Sequence, residues 1–443
     1  MAGRAARIFE QLGAAEAPNG RDVVLGRAIV LGGSLAGLLA ARVLSDHAEE
    51  VVILERDDFD DSVRQGVPQG EQVHTLLPGG RVQLDRWFPG FSANAVEAGA
   101  ILSSGNSARF YVHTLQKVIV PEEELLTCSR PFLEDQIRAR VLALPGVRVV
   151  HARAEGLTFD GDRVAGVRFE SGEETADLVV DAMGRSSRLG EWLEAGGFPR
   201  PPMVRMAIAL NYATACFRRS GRDDVGAVLA QMMVPRRGVA ALNAIEDDSW
   251  MILIAGFADD KPGRDLAEFR ERCRVGLPEI FEDVSSCEPV GEVATYHQAD
   301  SRRRDFHRVD RLPAGLVAVG DAVASFNPIY GQGMSSAALH ASCLSSYLRS
   351  RPDLREPARD FFAKLRVVVD AAWQSSTSAD LSLPHIDGPY PRGYRAASWV
   401  TGRIMRAAMT DVEVSRRFGW VTHMRAHPST LLKPGTLLRA LRA

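Results

Sequence analysis

Lysine is nearly missing from this chain. Among 53 basic residues only Lys117, Lys261, Lys364 and Lys433 are lysines. None lies in a glycine-rich phosphate loop, which excludes a P-loop nucleotidase, and none has a motif supporting a Schiff base. Cysteine is scarce too. Cys128, Cys216, Cys273, Cys287 and Cys343 are scattered with no CxxC pair, so neither a disulfide framework nor a zinc site is expected, and no metal. The net charge is -3, too small to build a broad basic surface for nucleic acid. No apolar run reaches the length of a membrane span, so no integral membrane segment is expected. Residues 1–26 are rich in Ala, Gly and Arg but lack an apolar signal core. They read as a mobile leader, and the location as cytoplasmic.

At 443 residues, with 46% hydrophobic and 25% charged residues, the chain can bury more than one core. Ala28-Ile29-Val30-Leu31 and Val51-Val52-Ile53-Leu54 are continuous apolar runs, as expected of parallel strands covered on both faces. A helix is expected between them from Leu35 to Leu44. Ser129-Arg130-Pro131 opens another helix, with proline in the first turn. Residues 148–180 alternate like strands, with a hairpin signal at Asp160-Gly161-Asp162. Residues 195–300 read as a second, strand-rich unit that covers a substrate. Leu316-Val317-Ala318-Val319 returns to the first unit as a buried strand, followed by a helix from about Ser335 to Leu348. Helices dominate after Ser350, interrupted by the proline-rich stretch 383–392.

Two glycine-rich turns, about 290 residues apart, carry the chemistry. In the first, Gly32, Ser34 and Gly37 occupy the glycine positions of G-x-G-x-x-G, with serine in the middle. A helix follows at once, and its unpartnered amides and positive dipole suit a phosphate. Glu55 ends the next strand, 18 residues after Gly37, where a carboxylate can accept from ribose hydroxyls. The same residues lie one position from the nucleophile elbow G-x-S-x-G, so a serine hydrolase with Ser34 as nucleophile is the competing class. The second turn runs from Gly320-Asp321 to Gly333-Met334. Asp321 follows a strand and can bind a sugar-like hydroxyl. Pro328 shapes the loop, and Gly331 and Gly333 let amides approach a flat ring. His423 and His427 stand four apart, but the pattern lacks the glutamate of H-E-x-x-H, so solvated histidines are expected there. Met232-Met233 and Met203/Met206 read as core. The terminal stretch 431–442 reads as a surface helix, with a membrane-surface contact as the alternative.

These segments, in order and spacing, resemble the class A FAD-dependent monooxygenases, the para-hydroxybenzoate hydroxylase fold, from Arg27 to Pro384. Gly66-Val67-Pro68-Gln69, the stretch Phe326–Ser335 and Asp370-Ala371-Ala372-Trp373 look most like its squalene-epoxidase-like branch, which includes bacterial epoxidases of polyether polyketides. The resemblance implies an α/β fold. A Rossmann-like FAD-binding domain (27–194 and 301–350) would hold an inserted mixed β-sheet substrate domain (195–300) and precede a helical C-terminal region (351–443). It implies that Gly32, Gly33, Ser34 and Gly37 hold the FAD pyrophosphate and that Glu55, with Arg56, takes the adenosine ribose. Arg130 would reach the FAD and Asp321 the ribityl chain. Pro328, Gly331, Gly333 and Met334 would line the flavin ring, with the Gly333-Met334 amides on its pyrimidine edge. The departures are Ser34 for glycine, Met183 where threonine is common, and Glu71-Gln72 where a basic pair is common.

The implied reaction uses NAD(P)H, or a separate flavin reductase, and O2 to move one oxygen from a flavin hydroperoxide to an alkene of a large apolar natural product. Epoxidation needs no general base, and none is assigned. Aromatic hydroxylation is the alternative, and reduction of isoprenoid double bonds a further one. A flavin halogenase is set aside because no lysine precedes Lys117 and W-x-W-x-I-P is absent at Trp250.

Overall fold

The computed structural model describes residues 2–18, 20–58, 70–232 and 238–442. The Gly66–Gln69 motif and Met233 lie outside the described residues.

The apolar runs form a five-stranded parallel sheet in the order Leu316–Ala318, Leu178–Asp181, Leu25–Leu31, Ala48–Glu55, Val147–His151. The three central strands are inaccessible from Ala28 to Leu31, Val51 to Leu54 and Leu178 to Val180, which is why they carry unbroken apolar residues rather than an alternating pattern. The helix Leu35–Leu44 covers one face, as its sequence predicts, and packs beside Gln332–Leu348. Gly37 allows that fit, because a Cβ there would lie 1.8 Å from the Gly32 carbonyl oxygen. The predicted hairpin forms between Ala154–Asp160 and Arg163–Phe169.

A second, eight-stranded sheet has Met203–Arg218 paired antiparallel with both Ser249–Phe257 and Pro289–Arg304. Its composition departs from the expected span of 195–300. Ala108–Val112 joins by parallel pairing to Ala227–Met232, Leu115–Gln116 forms one edge, and Ala324–Ser325 forms the other. Such pairings join segments far apart in sequence and leave no local signature. One face buries Phe217 and Trp250 against Phe269 and Phe281 of two short helices. The other buries Leu210 and Tyr212 against Leu381, Leu383 and Ile386. Met232 is buried in this sheet as its sequence predicts, whereas Met203, at the start of its strand, is exposed.

The C-terminal region is helical as expected, and Pro434–Arg442 is a largely exposed helix, whereas the leader and the two histidines depart from expectation. The leader contains a helix, Ala2–Leu12, that buries Phe9 and Leu12 in the main core. Its apolar residues recur at helical spacing and find the C-terminal segments as partners: Phe9 meets the ring of His427 at 6.0 Å. His423 and His427 do not share a helix face, because Val412–Thr422 ends first. His423 caps that helix, and His427 caps the short turn Pro428–Leu432. Burial holds the His423 ring near pKa 3, so it is a neutral, enclosed group rather than a solvated one. The remaining C-terminal helices are Arg359–Asp380, Tyr394–Ala408 and Pro434–Arg442. Among the described residues no helix is long and apolar enough to cross a membrane, and no group of three metal-ligating side chains converges.

Candidate active site

The first turn is built where Leu25–Leu31 hands over to the helix Leu35–Leu44. Glu55, at the end of the neighbouring strand, is buried and accepts from Gly33 N at 2.7 Å, Arg56 N at 2.8 Å and Asp57 N at 3.0 Å. The carboxylate therefore ties the turn to the second strand. The Arg56 side chain is exposed at the rim, 3.4 Å from Asp57. Ser34 is the N-cap of the helix, but its hydroxyl does not close back on the helix. It donates to the Glu134 carboxylate and lies 3.2 Å from an Arg130 guanidinium nitrogen. Glu134 also accepts from Leu35 N at 3.0 Å and from Arg130 at 3.0 Å. Ser129 caps the helix Arg130–Leu142 that delivers both residues. Sequence reasoning missed Glu134, although it stands one helical turn beyond Arg130, the spacing that pairs the two.

These contacts argue against a nucleophile elbow. Ser34 has a carboxylate and a guanidinium as partners, and among the described residues no histidine is hydrogen-bonded to it. Ser34→Ala is expected to weaken FAD binding by less than tenfold, about 1.4 kcal/mol, because Glu134 keeps its bonds to Leu35 and Arg130. Titration of the flavin-free protein with FAD, read by fluorescence quenching, measures it. A hydrolase would instead lose all ester turnover in this variant.

The second turn meets the first. Gly320 abuts Ala36, and its amide donates to His340 Nδ1 at 2.9 Å. Burial drives the His340 pKa down to about 3, so the ring stays neutral and keeps the accepting nitrogen. Burial raises the Asp321 carboxyl, while Ser325, Arg130, Arg185 and Arg304 pull it back down. Arg130 and Asp321, nearly two hundred residues apart, thus share one field. Arg304 was not singled out from sequence. It donates to the carbonyls of Ala322 at 2.8 Å, Arg185 at 3.1 Å and Asp321 at 3.4 Å, stitching the turn after Asp181 to the turn at Asp321. The signal was the run Arg302-Arg303-Arg304 inside a strand, where unpaired charge is costly.

Beyond Asp321 the chain passes Pro328 and reaches Gly331, whose φ of +66° lets it start the helix Gln332–Leu348, slightly earlier than predicted. Gly333 and Met334 therefore sit in the first turn, with amides at the positive end of the dipole. Asn327 and Tyr330 both donate to Asp380 Oδ1, each at 2.8 Å. Asp380 Oδ2 is buried with no partner among the described residues. Burial raises its pKa to about 6. This pair was also missed, because Asp380 belongs to a distant helix.

The residues present fit an FAD. The turn at Gly320 abuts Ala36 of the first helix, the Arg130 Nε is buried without a partner, and open space surrounds Gly333 where a Cβ would point. At the first helix, Glu134 already holds the Leu35 amide, so a phosphate held there would share that terminus with a carboxylate. Beside the Pro328–Gly331 loop lies a cavity of about 180 Å³, lined by Leu77, Phe110, Leu229, Val239 and Tyr330 among others. It shares these walls with a mainly apolar cavity of about 1840 Å³ that extends between Arg359–Asp380 and the C-terminal helices.

No family model matches the chain. Protein Rv3254 of Mycobacterium tuberculosis (strain ATCC 25618 / H37Rv) is 33% identical over 438 residues, covering 91% of each chain. Kynurenine 3-monooxygenase of Salinispora arenicola (strain CNS-205) is 25% identical over 368 residues, 74% of this chain and 73% of that protein. The crystal structure of p-nitrophenol 4-monooxygenase PnpA from Pseudomonas putida DLL-E4 superposes with a TM-score of 0.63 at 17% identity, covering 91% and 98% of the two chains. The chain belongs to one family with Protein Rv3254, and its parallel sheet, separate mixed sheet and C-terminal helices make the fold of the FAD-dependent monooxygenases.

Proposed function

We propose that the protein is an FAD-dependent monooxygenase that epoxidises an alkene of a large apolar substrate. The observation that carries this reading is the pair of joined, mainly apolar cavities opening beside the Pro328–Gly331 loop. In this reading Gly32, Gly33, Ser34, Gly37 and Arg130 hold the pyrophosphate, and Glu55 with Arg56 the adenosine ribose. Asp321 takes the ribityl chain, and the Gly333 and Met334 amides the pyrimidine edge. When bound, FAD supplies reduction by NAD(P)H, directly or through a separate reductase, and activation of O2.

The chain's own work is orientation, charge and dryness. The positive end of Gln332–Leu348 favours negative charge at the ring edge, a contribution of about 0.3–2 kcal/mol. His423 O accepts from Gly79 N at 3.0 Å, so the C-terminal segment is fastened to the domain of the first turn. The overall reaction balances as alkene, O2, NAD(P)H and a proton giving epoxide, water and NAD(P)+. Turnover of a polyene under 18O2 is expected to place one labelled oxygen in the product. Labelled water with unlabelled product would refute it.

A second reading, aromatic hydroxylation, is favoured by the Tyr330–Asp380 pair. A phenol needs a base, and Asp380 could draw a proton through Tyr330, whose ring lines both cavities. A carboxyl titrating near pH 6 is a base only above that pH. Under this reading kcat rises through about pH 6, and Asp380→Asn flattens the profile with a loss of about 100-fold. Under epoxidation the profile is flat there, and Asp380→Asn changes kcat less than threefold.

A further inference from the structure

We infer that Lys117 is the subsite for an anionic end group of the substrate, a carboxylate on an otherwise apolar body; this deepens the proposed function and rests on it. Lys117 follows the edge strand Leu115–Gln116, and its amide donates to Phe110 O at 2.8 Å, which fixes its backbone to the sheet. Its ammonium lies between two rings, 5.4 Å from the centre of Phe110 and 5.9 Å from that of Phe418. Among the described residues no carboxylate is within ion-pair distance of it and no acceptor is hydrogen-bonded to it. The lysine lines both cavities, and the smaller one also touches Pro328–Gly331. An ammonium held against aromatic faces in an apolar wall is partly desolvated, which lowers the Lys117 pKa, and negative charge nearby favours its charged form.

Among the neighbours, Glu123 supplies part of that charge and raises the Lys117 pKa that burial lowers. Arg109, the other permanent cation on the smaller cavity, is already paired with Asp224 at 2.6 Å. Glu123 shares the wall, but burial pushes its carboxyl up to about 7, so near neutral pH it is only partly ionised. His423 lies 3.7 Å from Glu123 and is neutral. In the smaller cavity a ligand carboxylate would therefore find one cation that no side chain already pairs. Leu77, Leu229, Val239 and Ile329 would carry its apolar body to the loop where the flavin ring is placed.

The test compares farnesoic acid with its methyl ester, a matched pair differing in the charge, by calorimetric titration of the FAD-loaded protein. The acid is expected to bind at least tenfold more tightly than the ester, with Lys117→Met removing that preference and Lys117→Arg keeping it. Equal binding of acid and ester, binding of neither, or an unchanged preference in Lys117→Met would each overturn the subsite. No turnover is involved, so the result is separable from the reaction itself. An acid preference without 18O incorporation would retire the oxygenation and keep the subsite, and the reverse pairing would retire the subsite alone.

Discussion

Gly37→Ala is expected to purify colourless and to unfold early. The added methyl would sit 1.8 Å from the Gly32 carbonyl oxygen and 3.3 Å from a Val30 methyl. Neither side can yield cheaply, because Val30 lies in the central strand and Gly32 N is already bonded to Leu54 O at 2.8 Å. Alanine gains about 1 kcal/mol of helix propensity over glycine. Overpacking a core costs about 1–3 kcal/mol, and a 1.8 Å approach to a backbone oxygen lies at the upper end, so the steric term wins. Separating the helix from the strand also moves the amides of the first turn away from Glu55. The ratio of flavin to protein absorbance, together with the thermal midpoint, reads both effects. Wild-type flavin content in Gly37→Ala would show that the turn tolerates expansion.

Arg304→Met is expected to loosen the same site from the opposite side. Arg304 is buried, and burial lowers its pKa, so the charge is held at a cost offset by its carbonyl partners. Methionine fills similar volume but leaves the carbonyls of Ala322 and Arg185 without donors. Hydrogen bonds from a charged group contribute about 1.5–3 kcal/mol each, so losing the two shortest costs about 3–6 kcal/mol. FAD affinity should fall at least tenfold, because the turns at Arg185 and Asp321 are no longer clamped together. Arg304→Lys is expected to rescue little, since a single ammonium cannot span both turns as the planar fork does. Urea unfolding followed by flavin release measures the stability term, and an FAD titration measures the affinity term.

Much of the first unit was legible because its elements are local. The strand before Gly32, the helix Leu35–Leu44 and the proline-led helix after Ser129 each announce themselves by apolar run length, capping residue or turn chemistry. Glu55 and Asp321 stand out in the sequence because each ends or follows a buried strand at a fixed distance from a glycine turn. What escaped was cross-chain. Glu134 beneath Ser34, His340 beneath Gly320, Arg304 across two turns and Asp380 beneath Tyr330 are all placed by packing between distant segments. The N-terminal helix escaped for a related reason: it is short, and a short helix is stable only against a partner that the sequence does not reveal.

By itself, then, the sequence determined that a strand-turn-helix unit recurs at Gly32 and at Asp321, and that no phosphate-loop lysine competes with that chemistry. It could do so because strand burial and helix capping are written in adjacent residues. Only the tertiary structure decided that the two turns meet, that Glu134 shares the first helix terminus, and that Lys117 stands near two rings on the cavity wall. The last of these depends on the parallel pairing of Ala108–Val112 with Ala227–Met232 and on the return of the C-terminal helices. Such contacts form only when loops of more than a hundred residues close, and no local pattern encodes them.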